Sequence, residues 1–561
     1  MSRLRDLADE YWQLTLETAP TLATLLGDHR YDDRIEDLSA EAEAALRTRL
    51  VALRRQVEAV HTADLARTER VSKAMLLAEI GSAIDRIDTR IVEISCDQMT
   101  GPHAELLQVI PQLTLPEPEH AEAILERYRK VGEFLDQALA RFQEGSAAGR
   151  NPAACAVERS ISQLDGYLAS PVDSDLFLAV QLPSGWDGEA RWRSHATSVI
   201  AEVIRPAFLR YRNALHDQVL PQARPEDRAG LCWIDGGDEI YSTLIRIHTS
   251  LPLTAAEIHR RGRDEIEKRL PSEYATVAER ALGIDELGPI FDRLRSDPGL
   301  RYRDAGQIRT KAEATLQRAR AAIGDWFGIL PEADCTIQEV PDFLAADAPP
   351  AYYFPPADDR SRPGTYFVNT HEPENQNLFE AESIGFHEAI PGHHLQIAIA
   401  SELEGLPDFQ RHSFTTAYVE GWGLYAERLA DEMGLYSSDI DRLGMLSADS
   451  WRAGRLVVDT GLHAMGWSRQ EAIDYLDDNS PVPHETILQE TDRYIAMPAQ
   501  ALSYKIGQQE IFRLRELARE QLGERFSIKR FHDVVLASGG VTLPILRQLV
   551  EDWIRAAGDE D

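Results

Sequence analysis

Apolar positions recur along this chain at spacings of three and four, the period of an amphipathic helix. Between residues 2 and 26 they fall at Leu4, Leu7, Tyr11, Leu14 and Leu16. The same pattern, carried on Ala, Leu, Glu and Arg, returns at 40–62, 68–93 and 119–145, and again at 192–222, 254–282 and 305–328. Each stretch is predicted to be helical. Strand-like runs are few and short. Gly364-Thr365-Tyr366-Phe367-Val368-Asn369, preceded by Ala351-Tyr352-Tyr353-Phe354, predicts a small hairpin or sheet edge, and Thr336–Val340 is a further candidate strand. Pro349, Pro350, Pro355, Pro356 and Pro363 mark 341–365 as the most irregular region, and Leu115–Glu119 is a Pro-containing acidic break. There is no internal repeat, low-complexity tract or long linker. The expected class is mainly α, multi-helical, with a small β hairpin or sheet.

A length of 561 residues exceeds what one simple core accommodates, so packed subdomains are expected. The reading divides the chain into an N-terminal helical half, 1–250, and a C-terminal half, 251–561, that holds the chemistry. With 59 basic and 93 acidic residues the formal net charge is -34. Such a surface repels phosphate backbones and anionic membranes, so neither nucleic acid nor membrane is expected as a partner. No run of about 20 apolar residues offers a membrane span. Cys96, Cys155, Cys232 and Cys335 are scattered, without a CxxC pair, and read as buried free thiols. Behind its basic residues Met1–Asp6 has no apolar run, so no secretory signal is expected and the cytoplasm is the default compartment.

The segment Phe386-His387-Glu388-Ala389-Ile390-Pro391-Gly392-His393-His394 carries the most chemistry. A hydrolytic zinc site needs neutral imidazoles for the ion and a free carboxylate nearby to take a proton from water. The usual HExxH spacing puts both histidines on one helix face. Here the fourth position after His387 is Pro391, and the next histidines stand at i+6 and i+7. In an unbroken helix i+7 returns to within about 20° of the starting face but roughly 10 Å further along the axis, while i+6 points about 120° away. A distortion at Pro391-Gly392 is therefore required, and a kink or bulge there could swing His393 back toward His387. Helix geometry alone leans to His394. A third ligand is found in Tyr418-Val419-Glu420-Gly421-Trp422-Gly423-Leu424-Tyr425-Ala426-Glu427, an apolar helical stretch with two carboxylates seven residues apart on one face. A carboxylate buried there needs a partner, and a metal is one. Glu420 is assigned as ligand and Glu427 as the group that hydrogen-bonds a ligand histidine.

These motifs, with Pro498-Ala499-Gln500-Ala501-Leu502-Ser503-Tyr504-Lys505-Ile506-Gly507, Pro20–His29 and Arg455–His463, resemble the bacterial family catalogued as domain of unknown function 885 over nearly the whole chain. The resemblance implies an all-helical zincin-like fold, similar to thimet oligopeptidase, Taq carboxypeptidase and angiotensin-converting enzyme, with zinc at the floor of a deep channel between two helical halves. In that family the histidine directly after Pro-Gly is the fixed position, which implies His393. Helical zincins use a tyrosine from a later segment as oxyanion donor, which implies Tyr504.

Other residues complete the expected site. Lys505, beside Tyr504, is a candidate for a substrate carboxylate, with a solvated surface role as the alternative. Asp459 and His463 stand four apart on a helix, so Asp459 could orient His463 as a second donor to the reacting carbonyl. Arg455 and Arg493 are candidates for gripping a C-terminal carboxylate, or structural ion pairs. His103, His248 and His259 lack ligand spacing and read as core or surface histidines. The Tyr352–Tyr366 region is a candidate channel lining. The expected mechanism has zinc on His387, His393 and Glu420, with His394 as the alternative ligand. Glu388 acts as base and then acid, and Tyr504 and His463 stabilise the oxyanion. The expected substrate is a short peptide. A non-peptide amide or amino-acid conjugate is the alternative, and a non-catalytic binding protein with a degenerate site is the rival from another class.

Overall fold

The computed structural model describes residues 2–341, 345, 348–356 and 362–558, so the irregular stretch expected at 341–365 lies partly outside the described residues. The predicted helical stretches appear as Arg3–Thr18, Ala40–Glu58, Arg67–Thr89, Pro118–Ala147 and Ala305–Ala322. The two remaining windows form helices interrupted by π turns at Ile200–Ile204, Leu215–Val219 and Glu265–Arg269. Each π turn ends two residues before a proline: Pro206, Pro221 or Pro271. Proline has no N–H for the carbonyl four residues back and its ring crowds that carbonyl, so one widened turn lets the chain continue.

The small sheet has three strands, β1 (Cys335–Glu339), β2 (Ala351–Phe354) and β3 (Gly364–Val368), in the order β1-β3-β2. β2 and β3 form the expected antiparallel pair, with Tyr353 opposite Tyr366, and Tyr352 stacks on Phe367 at 5.0 Å between ring centroids. β1, the other candidate strand, adds in parallel to the far side of β3. The central strand β3 is thereby the most buried of the three.

Apolar burial divides the molecule at a different place from the expected boundary near residue 250. The main core gathers Leu4, Leu53, Ile80, Leu316, Trp422, Ile506 and Ile554, so the first helices pack with the C-terminal half. A separate core built from Leu106, Ile124, Phe134, Trp192, Phe208 and Leu215 lies between them in sequence. The amphipathic stripes of the first helices find their complement on the C-terminal helices, which sequence distance does not reveal. Helix Asp439–Ala464 runs through the interior and is buried along most of its length. Helices Thr416–Glu432 and Ser503–Leu522 cross where Gly421 meets Gly507; a Cβ on Gly507 would stand 1.9 Å from the Ala417 carbonyl oxygen. All four cysteines are free. Among the described residues no helix is long and apolar enough to cross a membrane.

Candidate metal centre

The His-Glu helix stops at Glu388 and a new helix starts at His393, so the chain does not kink at Pro391 but breaks there. Between them Ala389 and Gly392 leave helical geometry (ψ -104 and -129), and the Ile390–Pro391 bond is cis. The backbone folds so tightly that a Cβ on Gly392 would lie 1.9 Å from the His387 carbonyl oxygen, a place only glycine can take. Trp422 fixes this turn from outside, donating its indole N–H to the Pro391 carbonyl at 2.9 Å.

The break delivers His393 to His387. Each Nε2 lies 3.6 Å from the same oxygen, Glu420 Oε2, and the two imidazole planes stand at 84°. Two donors bonded at about 2.1 Å to one tetrahedral ion are about 3.4 Å apart, close to this spacing and too long for an ordinary hydrogen bond. An ion must also lie in the plane of each ring that binds it. Perpendicular planes share a line on which it can sit. Glu388 stands beside them: donor atoms of His387, Glu388 and His393 all lie within 4.8 Å of one another. Among the described residues no lysine or arginine pairs with Glu388, Glu420 or Glu427, and the ion-pair partners of Glu420 and Glu427 are imidazoles. The donor set fits a divalent cation, which His387, His393 and Glu420 would hold.

Electrostatics follow from this crowding. Burial opposes charge on His387, but the carboxylates of Glu420 and Glu427 outweigh it and lift the ring to about 9. Burial pushes Glu420 upward, and the two imidazoles reverse this and hold it well below the usual carboxylate range.

Glu427 is placed against His387. Its Oε1 lies 2.8 Å from His387 Nδ1, so Nδ1–H donates to it and Nε2 is the nitrogen that would face an ion. Ser383 was not anticipated. It sits one turn before His387, donates to the other Glu427 oxygen at 2.5 Å and completes the chain Ser383–Glu427–His387. A serine four residues before His387, on the same helix face, was the signal. Tyr504 arrives through the Gly421–Gly507 crossing, its ring 6.4 Å from that of His387 and inclined by 25°. Among the described residues its hydroxyl has no hydrogen-bond partner. It is raised above the usual tyrosine value, by burial first and by the Glu420 charge.

Other expected members are placed elsewhere. His394 turns to the sheet, its Nδ1 3.1 Å from the Tyr353 hydroxyl, and is not brought to Glu420. The Asp459–His463 pair does not form. Leu231 N–H donates to His463 Nδ1 at 3.1 Å and His463 Nε2 contacts the Tyr494 carbonyl at 2.9 Å, so this buried ring, lowered by burial to about 4, has no nitrogen left for a substrate. Asp459 instead accepts from Tyr241 OH at 2.5 Å and from Ala499 N–H. Lys505 is neither on the surface nor in the site. Its ammonium is buried against Asp449, Gln508 and Glu265, in a network that also contains Arg269, Arg428 and Glu273. Arg455 and Arg493 share Glu490, and Arg455 lies 4.8 Å above the Tyr504 ring.

A second group, His29, Asp32 and His120, also places donor atoms within 4.8 Å of one another. There the two imidazoles are stacked at 4.0 Å and 13°, so their planes meet only far beyond ligand distance and they do not form a common seat for an ion. His259 bonds Thr460, and His103 is fully buried, as read from sequence.

The chain belongs to a bacterial family of proteins of unknown function, DUF885, whose pattern matches residues 20–550. It is similar, at 25% identity and a TM-score of 0.91, to a crystal structure described as the "putative lipoprotein" of Colwellia psychrerythraea, over 99% of both chains. It is also similar, at 18% identity and a TM-score of 0.76, to a "putative lipoprotein of unknown function" from Shewanella oneidensis, covering 98% of this chain and 100% of that one, a likeness of fold. No functionally curated protein matches it.

Proposed function

We propose that this member of the DUF885 family is a zinc-dependent hydrolase of zincin type that cleaves amide bonds of short peptides. The observation that supports this reading best is the convergence of two perpendicular imidazoles on one Glu420 oxygen with a separate carboxylate, Glu388, beside them. A purely structural metal site has no use for that extra base.

His387, His393 and Glu420 hold the cation. When bound, Zn²⁺ supplies Lewis-acid activation of water and of the scissile carbonyl. Glu388 accepts the proton of the attacking water and returns it to the leaving nitrogen. The Tyr504 hydroxyl, with no competing partner among the described residues, donates to the carbonyl oxygen as negative charge builds on it. Glu427 and Ser383 keep His387 in the tautomer that offers Nε2.

The test is metal content and turnover measured together. Purified protein should carry about one zinc per chain, lost in Glu420→Ala, and should hydrolyse members of a panel of di- to hexapeptides. Glu388→Gln should keep the zinc and lose turnover by about 10²-fold or more. Zinc-free protein, or hydrolysis indifferent to Glu388→Gln, would overturn the reading.

A further inference from the structure

Beside Tyr504 the helix Asp439–Ala464 places two arginines, Arg452 and Arg455, one turn apart, and Arg493 approaches from helix His484–Ala496. All three act electrostatically on the Tyr504 hydroxyl. The group holds one carboxylate, Glu490, which Arg455 and Arg493 share, and Arg493 also donates to Gln500 Oε1 at 2.6 Å. Arg452 is different. Among the described residues no carboxylate lies within ion-pair distance of it, and its one hydrogen bond is a 3.5 Å contact to the Ala448 carbonyl. Arg452 acts electrostatically on Glu380, whose carboxylate already accepts from Asn377 and Ser447. Among the described residues, buried Arg455 Nη1 and Arg452 Nε have no hydrogen-bond partner. Such a surplus of positive charge is unusual in a chain of net charge -34.

Arg452 is half-buried, its guanidinium 4.8 Å over the Trp451 ring and 5.9 Å over the Tyr504 ring. Tyr504 lies in turn 6.4 Å from His387. Those two legs set an upper limit of about 12 Å between Arg452 and the His387 ring, no more than three or four extended residues of substrate. Resting on the hydrolase reading, we propose that Arg452 is the receptor for a substrate carboxylate one to three residues beyond the cleaved bond, most simply the C-terminal carboxylate of a short peptide. Arg455 and Arg493 add field behind it. A guanidinium matches a carboxylate with two parallel hydrogen bonds, and a site with no carboxylate of its own is vacant for one.

The experiment compares N-acetylated tripeptides with a free C-terminal acid against the same peptides as C-terminal amides. In the zinc-loaded protein kcat/KM should favour the acid by about 10- to 100-fold, the usual scale of a charge-assisted pair. Arg452→Gln should bring the acid-to-amide ratio near one, and Arg452→Lys, which keeps the charge without the fork, should recover part of it. Binding of the same pair by calorimetry in the Glu388→Gln background gives a readout free of turnover. Acid preference in binding that Arg452→Gln abolishes, without hydrolysis of any peptide, would keep the carboxylate site and remove the hydrolase reading. Hydrolysis with no acid preference, or a preference untouched by Arg452→Gln, would overturn the carboxylate site and leave the hydrolase reading standing.

Discussion

Gly423 lies between Glu420 and Glu427 on helix Thr416–Glu432, against the ring of His387. A Cβ built there would stand 2.7 Å from His387 Cε1 and Nε2 and 3.0 Å from Nδ1. Comfortable contact begins near 3.4–3.5 Å, so in Gly423→Ala the ring must retreat by roughly 0.7 Å. Metal sites tolerate departures of about 0.2 Å in ligand distance. Zinc affinity should therefore fall by about 10- to 100-fold or more, the scale seen when a ligand histidine loses its orientation. In the metal-free protein alanine is better than glycine inside a helix by about 0.5–1 kcal/mol and displacing one ring costs about 1–3 kcal/mol, so the net loss of stability should be about 0–2.5 kcal/mol. Chelator competition measures the affinity, and thermal unfolding with and without zinc measures the increment the ion contributes. Gly166→Ala is the control, because nothing lies within 4 Å of the Cβ it would add; it should leave zinc binding unchanged. A Gly423→Ala protein with zinc affinity within about twofold of the parent would refute the claim that His387 is a ligand fixed by this contact.

Three further outcomes are expected. Glu427→Gln should weaken zinc binding by about 10- to 100-fold in chelator competition, and unchanged affinity would remove its role in orienting His387. Asp449→Asn leaves Arg269, Arg428 and Lys505 without the carboxylate they share, and should cost about 3–5 kcal/mol in urea unfolding; a loss below about 1 kcal/mol would count against the network. Asp459 is raised by burial to about 7, against the donors Tyr241 and Ala499, so the folded state binds a proton there that the unfolded chain releases near pH 4. Its contribution is full below about pH 4 and is lost as pH rises to about 7, so Asp459→Asn should flatten the decline of stability over that window, and identical slopes would contradict the assignment.

The periodicity of apolar residues identified the helices because each buries a stripe, and the alternating runs near Tyr353 and Tyr366 identified the strands. His387, Glu388, Glu420 and Glu427 were legible because their spacing already fits two helix faces. The choice between His393 and His394 was not, since helical arithmetic does not apply across a backbone that breaks at Pro391. Lys505 was misread for a simple reason: neighbours in a helix diverge by about 100°, so it cannot share the direction of Tyr504. The Asp459–His463 spacing permits contact, but backbone groups of Leu231 and Tyr494, distant in sequence, claim both ring nitrogens. The same distance hid how the first helices join the C-terminal core. Arg452 carried a faint signal, a second arginine three residues before Arg455 on the same helix.

One eight-residue window, Glu420 to Glu427, faces His387 and His393 through Glu420, braces the Pro391 turn through Trp422, makes room for the His387 ring at Gly423 and takes its Nδ1–H through Glu427. That helix is a jig on which the two histidine-bearing pieces are mounted. Register between the histidines is set by the jig and not by the number of residues joining them. In divergent relatives the gap between the His-Glu pair and the next histidine can therefore lengthen or shorten wherever the loop still closes, while the spacing within the Glu-Gly-Trp-Gly segment cannot. Alignments anchored on the second motif should recover members that a fixed HExxH ruler passes over.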